Sequence, residues 1–336
     1  MVEGEVARVA VYGAGSWGTA AAVVLADAGC GVALWGRRPE LVRAINTTRT
    51  NSEYLPGMVL PDAITATADP AEAADGAEFA FLCVSAQQLR GALAGWAPAV
   101  RDDTVLVSLM KGVERGTDLL MSQVIAEVTG AGPDRIAVVS GPNLAREVAA
   151  RQPAAGVVAC RDITVAERLQ KVLHTPCFRP YTHTDVIGCE LGGAVKNVIA
   201  LAVGMADGLG LGDNTKATLV TRGLAEITRL ALAMGADPQT LAGLAGMGDL
   251  ITTCASPLSR NHTFGANLGR GLSVAQARAA MTRTAEGVAS CESVLALAHR
   301  HAVEMPIAEA VVRVVRDGMH PRTAVQDLMA RAAGPE

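Results

Sequence analysis

The sequence predicts an α/β N-terminal domain built on a doubly wound sheet, residues 1–185, followed by an all-α C-terminal domain, residues 186–336. Three observations carry this prediction. Short apolar runs rich in β-branched residues alternate with helical stretches through the first half of the chain. A Gly-x-Gly-x-x-Gly turn closes the first of those runs. Beyond about Asp185 the apolar residues recur at helical spacing, with no clear strand between them. At 336 residues and 50% hydrophobic content the chain is long enough to bury two cores.

The first run, RVAVYG, leads into GAGSWGTA and an alanine-rich helix. Gly13 permits the tight turn, Gly15 lets backbone amides approach a pyrophosphate, and Gly18 lets the helix lie close to the strand with its amino end facing the anion. A strand before the turn and a helix after it favour a Rossmann-like dinucleotide site; the alternative is a purely structural glycine turn. The second run, GVALWG, ends at Gly36, Arg37 and Arg38, where an acidic residue commonly accepts the ribose 2′-hydroxyl. Two guanidiniums suit a 2′-phosphate, which favours NADP without excluding NAD; the alternative is a solvated helix start. EFAFLCV, TVLVSLMKG, RIAVVSG and AAGVVAC complete a set of strands expected to run parallel. Lys111 falls just past the fourth run, at the carboxyl edge where such sheets bind ligands, and Gly141 and Asn143 follow the fifth at a turn into a helix. In the second half, Asp213 or Asn214 is expected to cap a helix that ends at Gly235, and the Ala/Gly-rich tail after Met329 is expected to fray.

A formal net charge of −4 gives no electrostatic basis for a nucleic-acid partner. The cysteines at 30, 83, 160, 177, 189, 254 and 291 form no CxxC pair and are odd in number. That argues against a disulfide framework or a zinc site and fits a reducing cytoplasm. The start MVEGEV is acidic where a secretory signal carries lysine or arginine. No membrane insertion is expected, because the apolar run Val198–Ala206 is bounded by Lys196, Asn197 and Asp207 and falls short of the ~20 residues a bilayer needs.

Redox chemistry on a bound dinucleotide needs a proton donor or acceptor and groups that hold the substrate. ELGGAVKNVIALA sets Lys196 and Asn197 in an apolar helix, with Gly192, Gly193 and Ala194 leaving room beside them. Desolvation there would lower the lysine pKa towards neutrality; the alternative is a lysine that snorkels to the surface. GMGDLITTCASPLSRNHTFG gathers Asp249, Thr252, Thr253, Ser259, Arg260 and Asn261. Arginine beside serine and asparagine makes a phosphate clamp, with an ordinary polar loop as the alternative. His262 lies next to it without a metal-ligand cluster and reads as a loop histidine, so no metal is expected.

The blocks GAGSWGTA, SGPNLA, GAVKNVIALAVGMADGLGLGDNTKA, TRGLAE, GMGDLITTC and SRNHTFG, in this order over nearly the whole chain, resemble the bacterial-type NAD(P)-dependent glycerol-3-phosphate dehydrogenases. The resemblance implies reversible reduction of dihydroxyacetone phosphate to sn-glycerol 3-phosphate, a phospholipid precursor, by a cytoplasmic homodimer using NADP or NAD. It implies Lys196 as the acid/base, Lys111 polarising the carbonyl oxygen or orienting substrate, and Asp249 bonding a substrate hydroxyl or tuning Lys196. Ser259, Arg260 and Asn261 would hold the phosphate, while Gly141, Asn143, Asn197 and Thr253 complete the substrate set. Ser16, Trp17, Arg37, Arg38, Ala145 and Glu286 match cofactor contacts, and Lys111 and Arg260 are placed against both ligands. Asn143 departs from the Ser or Thr frequent after SGP and reaches further. Two rival readings are a β-hydroxyacid or ketopantoate reductase, which would take a carboxylate without phosphate, and a non-catalytic NADP-binding sensor.

Overall fold

A computed structural model of the chain describes residues 6–281 and 285–332. The acidic start at residues 1–5 and the last four residues of the Ala/Gly-rich tail lie outside these. The chain divides into two compact units, one formed by residues up to 110 with 121–189, the other by residues 111–120 with 190 onward. The sequence boundary at 185/186 thus compares with a structural one at 189/190, and a ten-residue excursion after the fifth strand joins the second unit.

The first unit is a single eight-stranded sheet of β1 (Arg8–Tyr12), β2 (Gly31–Trp35), β3 (Ile64–Thr67), β4 (Phe79–Leu82), β5 (Val105–Ser108), β6 (Ile136–Ser140), β7 (Ala154–Cys160) and β8 (Phe178–His183), in the order 3-2-1-4-5-6-7-8. Its helices are α1 (Ser16–Asp27), α2 (Pro39–Thr48), α3 (Pro70–Ala74), α4 (Leu89–Trp96), α5 (Met121–Thr129), α6 (Ala145–Ala149) and α7 (Ile163–Leu173). β4 and β5 are buried at every position, as strands covered on both faces must be. Each large aliphatic or aromatic side chain sealed there contributes about 1.5–3 kcal/mol. Tyr12 stacks on Trp96 with centroids 4.7 Å apart, Trp35 meets Trp96 edge-on at 4.8 Å, and the Tyr12 hydroxyl donates to the Pro70 carbonyl at 3.0 Å.

Two strands escape the sequence reading, and one runs the other way. ITAT in β3 is short and half polar, and FRPYTH in β8 carries an arginine and a proline. Both lie at the sheet's ends, where a strand has one neighbour and Pro180 costs no ladder bond on its open side. AAGVVAC was expected to be parallel. Instead β7 pairs antiparallel with β6, Val139 opposite Val158, while the remaining neighbours are parallel. The chain reverses its direction of strand addition between β1 and β4, so the turn after β1 sits at the switch point where doubly wound sheets bind ligands.

The second unit has no strand among its described residues from 190 onward. It comprises α8 (Val186–Gly208), whose first residues count with the other unit, α9 (Asp213–Ala233), α10 (Pro238–Ala242), α11 (Asp249–Ala255), α12 (Arg260–Gly269), α13 (Val274–Ala279), α14 (Glu286–Arg300), α15 (Pro306–Asp317) and α16 (Pro321–Met329). α8 is long and apolar enough to cross a membrane by length and composition, but 89% of its most apolar window is buried inside the protein, as befits a core helix. It touches α12 backbone to backbone. A Cβ on Gly204 would lie 2.1 Å from the His262 carbonyl oxygen, and one on Gly265 2.1 Å from that of Leu201.

Two local expectations need correction. Gly212, not Asp213 or Asn214, occupies the N-cap of α9; Asp213 is its first residue and pairs with Lys216 at 2.9 Å. Gly235 does follow the helix with a positive φ of 83°. His262, expected in a loop, lies on α12, half-buried, with burial pushing its pKa down and Asp207 Oδ2 4.0 Å away.

Candidate active site

In the first unit the glycine turn is built by what its glycines lack. Gly13 adopts φ +127°, and a Cβ there would meet the Cys83 carbonyl oxygen at 2.4 Å; a Cβ on Gly18 would sit 1.9 Å from the Gly13 carbonyl oxygen. The turn is therefore wedged between α1 and the end of β4. A Cβ on Gly15 would meet nothing within 4 Å, which leaves the backbone open to a ligand. α1 starts with Gly15 as N-cap and no side chain capping it, so the amide end of a 12-residue helix is presented to an anion. Trp17 Nε1 is buried and unpartnered, and Ser16 Oγ donates to the Tyr54 carbonyl at 3.1 Å. These features fit a dinucleotide pyrophosphate.

The two arginines after β2 are not equivalent. Arg38 is tied to Glu53 at 2.5 Å and lies over the Tyr54 ring, whereas Arg37 is exposed and has no ion pair among the described residues. After β6, Gly141 has φ +113°, and Asn143 buries both side-chain amide atoms without a partner. An unsatisfied buried amide costs about 1–3 kcal/mol, which a bound polar ligand would recover. Ala145 opens α6.

The second unit joins its predicted residues through one carboxylate. Lys196 Nζ donates to Asp249 Oδ1 and, at 2.8 Å, to Thr253 Oγ1; Lys111 Nζ donates to Asp249 Oδ2 at 2.7 Å. Asp249 is 1% exposed and Lys196 5%. With both amines charged, two ammonium groups on one carboxylate make this trio net positive, suited to an anionic ligand. Burial drives the Lys196 pKa down from 10.5 to about 7, against the opposing pull of Asp249 and with the help of Lys111. A second chain of bonds lies alongside: Asn197 Nδ2 donates to the Lys111 carbonyl at 3.4 Å, Asn261 Nδ2 to Asn197 Oδ1 at 2.9 Å, and the Gly287 amide to Asn261 Oδ1 at 2.9 Å.

The remaining predicted residues take distinct places. Ser259 caps α12 by accepting the His262 amide at 3.2 Å, and Arg260 is that helix's exposed first residue. Thr253 donates to the Asp249 carbonyl while accepting from Lys196, so its hydroxyl serves the lysine. Thr252 bonds back to the Gly248 carbonyl and does not join the lysine cluster. Glu286 keeps a buried, unpartnered Oε2; burial raises its pKa and the Arg260 charge opposes the rise. No group of three or more His, Cys, Asp or Glu that could hold a metal occurs among the described residues.

Sequence reasoning missed Asn51 and Glu53. Asn51 is buried and its Nδ2 donates both to the Ala14 carbonyl at 3.0 Å and to Thr19 Oγ1 at 2.8 Å, fixing the glycine turn from outside. The only signal was the polar cluster NSEY between α2 and Pro56.

Family models described as NAD-dependent glycerol-3-phosphate dehydrogenase N-terminus and C-terminus match residues 8–166 and 185–326. NAD(P)+ glycerol-3-phosphate dehydrogenases of Streptomyces griseus and Streptomyces avermitilis are 67% and 64% identical over 329 residues, each alignment covering 98% of both chains. A solved structure of glycerol-3-phosphate dehydrogenase from Coxiella burnetii superposes with a TM-score of 0.92 at 38% identity, covering 97% of this chain and 99% of that one.

Proposed function

The chain belongs to the NAD-dependent glycerol-3-phosphate dehydrogenase family, an NAD(P)-using oxidoreductase, and on that premise we propose that it reduces dihydroxyacetone phosphate reversibly to sn-glycerol 3-phosphate, supplying glycerophospholipid synthesis in the cytoplasm. Seven free thiols suit a reducing compartment. The family resemblance supports a homodimer, with residues 1–185 binding cofactor and 186–336 substrate.

One observation carries the chemistry. The Lys196 ammonium has three protons, and among the described residues Asp249 and Thr253 accept two of them. The third is left to move, on a group whose pKa of about 7 lets it give a proton and regain one near neutral pH.

A nicotinamide cofactor, when held there, would supply or take the hydride at carbon 2. Lys196 delivers its proton to the carbonyl oxygen in reduction and, as the neutral amine, removes it from the alcohol in oxidation. Lys111 adds positive charge near that oxygen, and Asp249 keeps both ammonium groups in place without neutralising the pair. Arg260, the amino end of α12 and the second Asn261 amide proton hold the phosphate dianion. Gly141, Asn143 and Asn197 complete the substrate contacts. Gly13, Gly15, Ser16, Trp17 and Gly18 hold the pyrophosphate; Arg37 and Arg38 the ribose end; Ala145, Glu286, Lys111 and Arg260 contribute further cofactor contacts.

The test is absorbance at 340 nm with purified protein and dihydroxyacetone phosphate, NADPH and NADH being supplied separately. Substrate-dependent oxidation is expected. A folded protein that binds NADPH yet oxidises neither cofactor would overturn the reading.

A further inference from the structure

Asp249 does not enter α11 from an ordinary turn. Residues Leu244–Gly248 form a π-helical turn that runs directly into it, closed by the Gly248 amide donating to the Gly243 carbonyl at 3.1 Å. Such a turn holds one residue more than an α turn, and so rotates whatever follows it. This one is clamped on two sides by absent side chains. Gly192, four residues before Lys196 and on the same face of α8, receives the turn: a Cβ there would lie 2.4 Å from the Ala245 carbonyl oxygen and 3.2 Å from Gly246 Cα. On the other side, a Cβ on Gly246 would lie 2.1 Å from the Leu241 carbonyl oxygen in α10.

We propose that Gly192, by receiving the Leu244–Gly248 π turn, is a positioning residue that sets the distance between Asp249 and Lys196. The helix that carries the lysine thereby also gauges where its carboxylate partner stands. The neighbours at Gly192 are backbone atoms, which cannot swing aside as a side chain can. Restoring an ordinary contact after adding a methyl group needs roughly 1 Å of backbone movement, and that movement draws Asp249 away from Lys196. The titratable groups facing Lys196 are Asp249 and Cys254 from α11 and Lys111 from the segment after β5. Burial pushes the Cys254 thiol up to about 12, so it stays neutral, and Lys111 repels. Asp249 alone among them favours the charged lysine, and its withdrawal makes Lys196 more acidic.

The inference rests on the proposed role of Lys196, and its test separates the two. The chain holds only four lysines, at 111, 171, 196 and 216, so full-length protein labelled at lysine Cε gives four carbon-13 signals from which Lys196 titration is read without turnover. Wild type is compared with Gly192→Ala, with deletion of Met247, and with Gly208→Ala. Met247 is an exposed residue of the same turn, so its deletion removes the extra residue while sparing the core. Gly208→Ala is the control for a structural clash on the same helix, its Cβ lying 2.2 Å from the Ala266 carbonyl oxygen.

The expected result is that Lys196 titrates about one pH unit lower in Gly192→Ala and in the Met247 deletion, with kcat at neutral pH down roughly fivefold and the alkaline limb moved with it. Gly208→Ala should melt lower yet titrate as wild type does. Wild-type titration in either turn variant that folds, or an equal shift in Gly208→Ala, would overturn the proposal; if Gly192→Ala does not fold, the Met247 deletion decides. A wild type that fails to turn over dihydroxyacetone phosphate would instead defeat the functional reading, and the carbon-13 titration would still decide the positioning.

Discussion

Replacing Asp249 by asparagine keeps the side chain's shape and removes the negative charge that Lys196 and Lys111 share. Burial already brings Lys196 to about 7 with Asp249 opposing the fall. A carboxylate in direct contact raises a cationic partner's pKa by roughly 1–3 units, so in the variant Lys196 should titrate at roughly 4–6. The repulsion from Lys111, 2.7 Å from the same carboxylate in the wild type, then acts without a counter-charge. Reduction needs the protonated lysine. At pH 7 about half the wild-type molecules carry it, against roughly 10% for a one-unit fall and about 0.1% for three, each unit being worth about 1.4 kcal/mol. Turnover at neutral pH should therefore drop between about fivefold and several hundredfold, with much of it regained on acidification. The assay is kcat for dihydroxyacetone phosphate reduction against pH at saturating cofactor, followed at 340 nm. A profile superimposable on that of the wild type would refute the reasoning, because it would mean that Asp249 sets neither the charge nor the position of Lys196.

Other outcomes follow from the same geometry. Arg260→Ala should raise KM for the phosphorylated substrate roughly 10- to 100-fold, as loss of a charge-assisted contact worth about 1.5–3 kcal/mol would, with a smaller effect on kcat; an unchanged KM would remove Arg260 from the clamp. Because Arg38 is committed to Glu53 and Arg37 is not, Arg37→Ala should weaken NADPH binding while sparing NADH, measured by fluorescence titration. Equal losses for both cofactors would contradict that division. Glu226, buried in α9, accepts the Ile307 and Ala308 amides at the start of α15, and burial lifts its pKa from 4.5 to about 7. Between those values the folded chain keeps a proton that the unfolded chain has lost, so this group's contribution to stability falls as pH rises through the window. Glu226→Gln should accordingly gain on wild type from pH 4.5 to 7, by on the order of 3 kcal/mol at most, in denaturant unfolding; a pH-independent difference would show that Glu226 does not titrate there.

The parts of this protein written in local sequence were legible. Gly13 and Gly18 are steric requirements of one turn and Gly15 leaves its backbone open, and Lys196 stands out because a cation in an apolar helix must be explained. β4 and β5 announce themselves as unbroken apolar runs because both their faces are covered. β3 and β8 do not, since end strands tolerate polar residues and proline, and nothing in AAGVVAC distinguishes an antiparallel strand from a parallel one. The lysine cluster was legible as separate candidates only. Asp249 meets Lys196 and Lys111 across 53 and 138 residues of chain, and no local pattern records that one carboxylate serves both. Asn51 was invisible for the same reason: its partners Ala14 and Thr19 lie 37 and 32 residues away. The π turn before Asp249 reads in sequence as a glycine-bounded stretch, and only its fit against Gly192 gives it meaning.

The turnover of Lys196→Ala with dihydroxyacetone phosphate, taken together with its affinity for NADPH, decides whether Lys196 moves the proton. Reduction is expected to be abolished while NADPH binds as tightly as to the wild type, since the glycine turn is untouched. Wild-type turnover in that variant would contradict the assignment of Lys196 as the group that moves the proton.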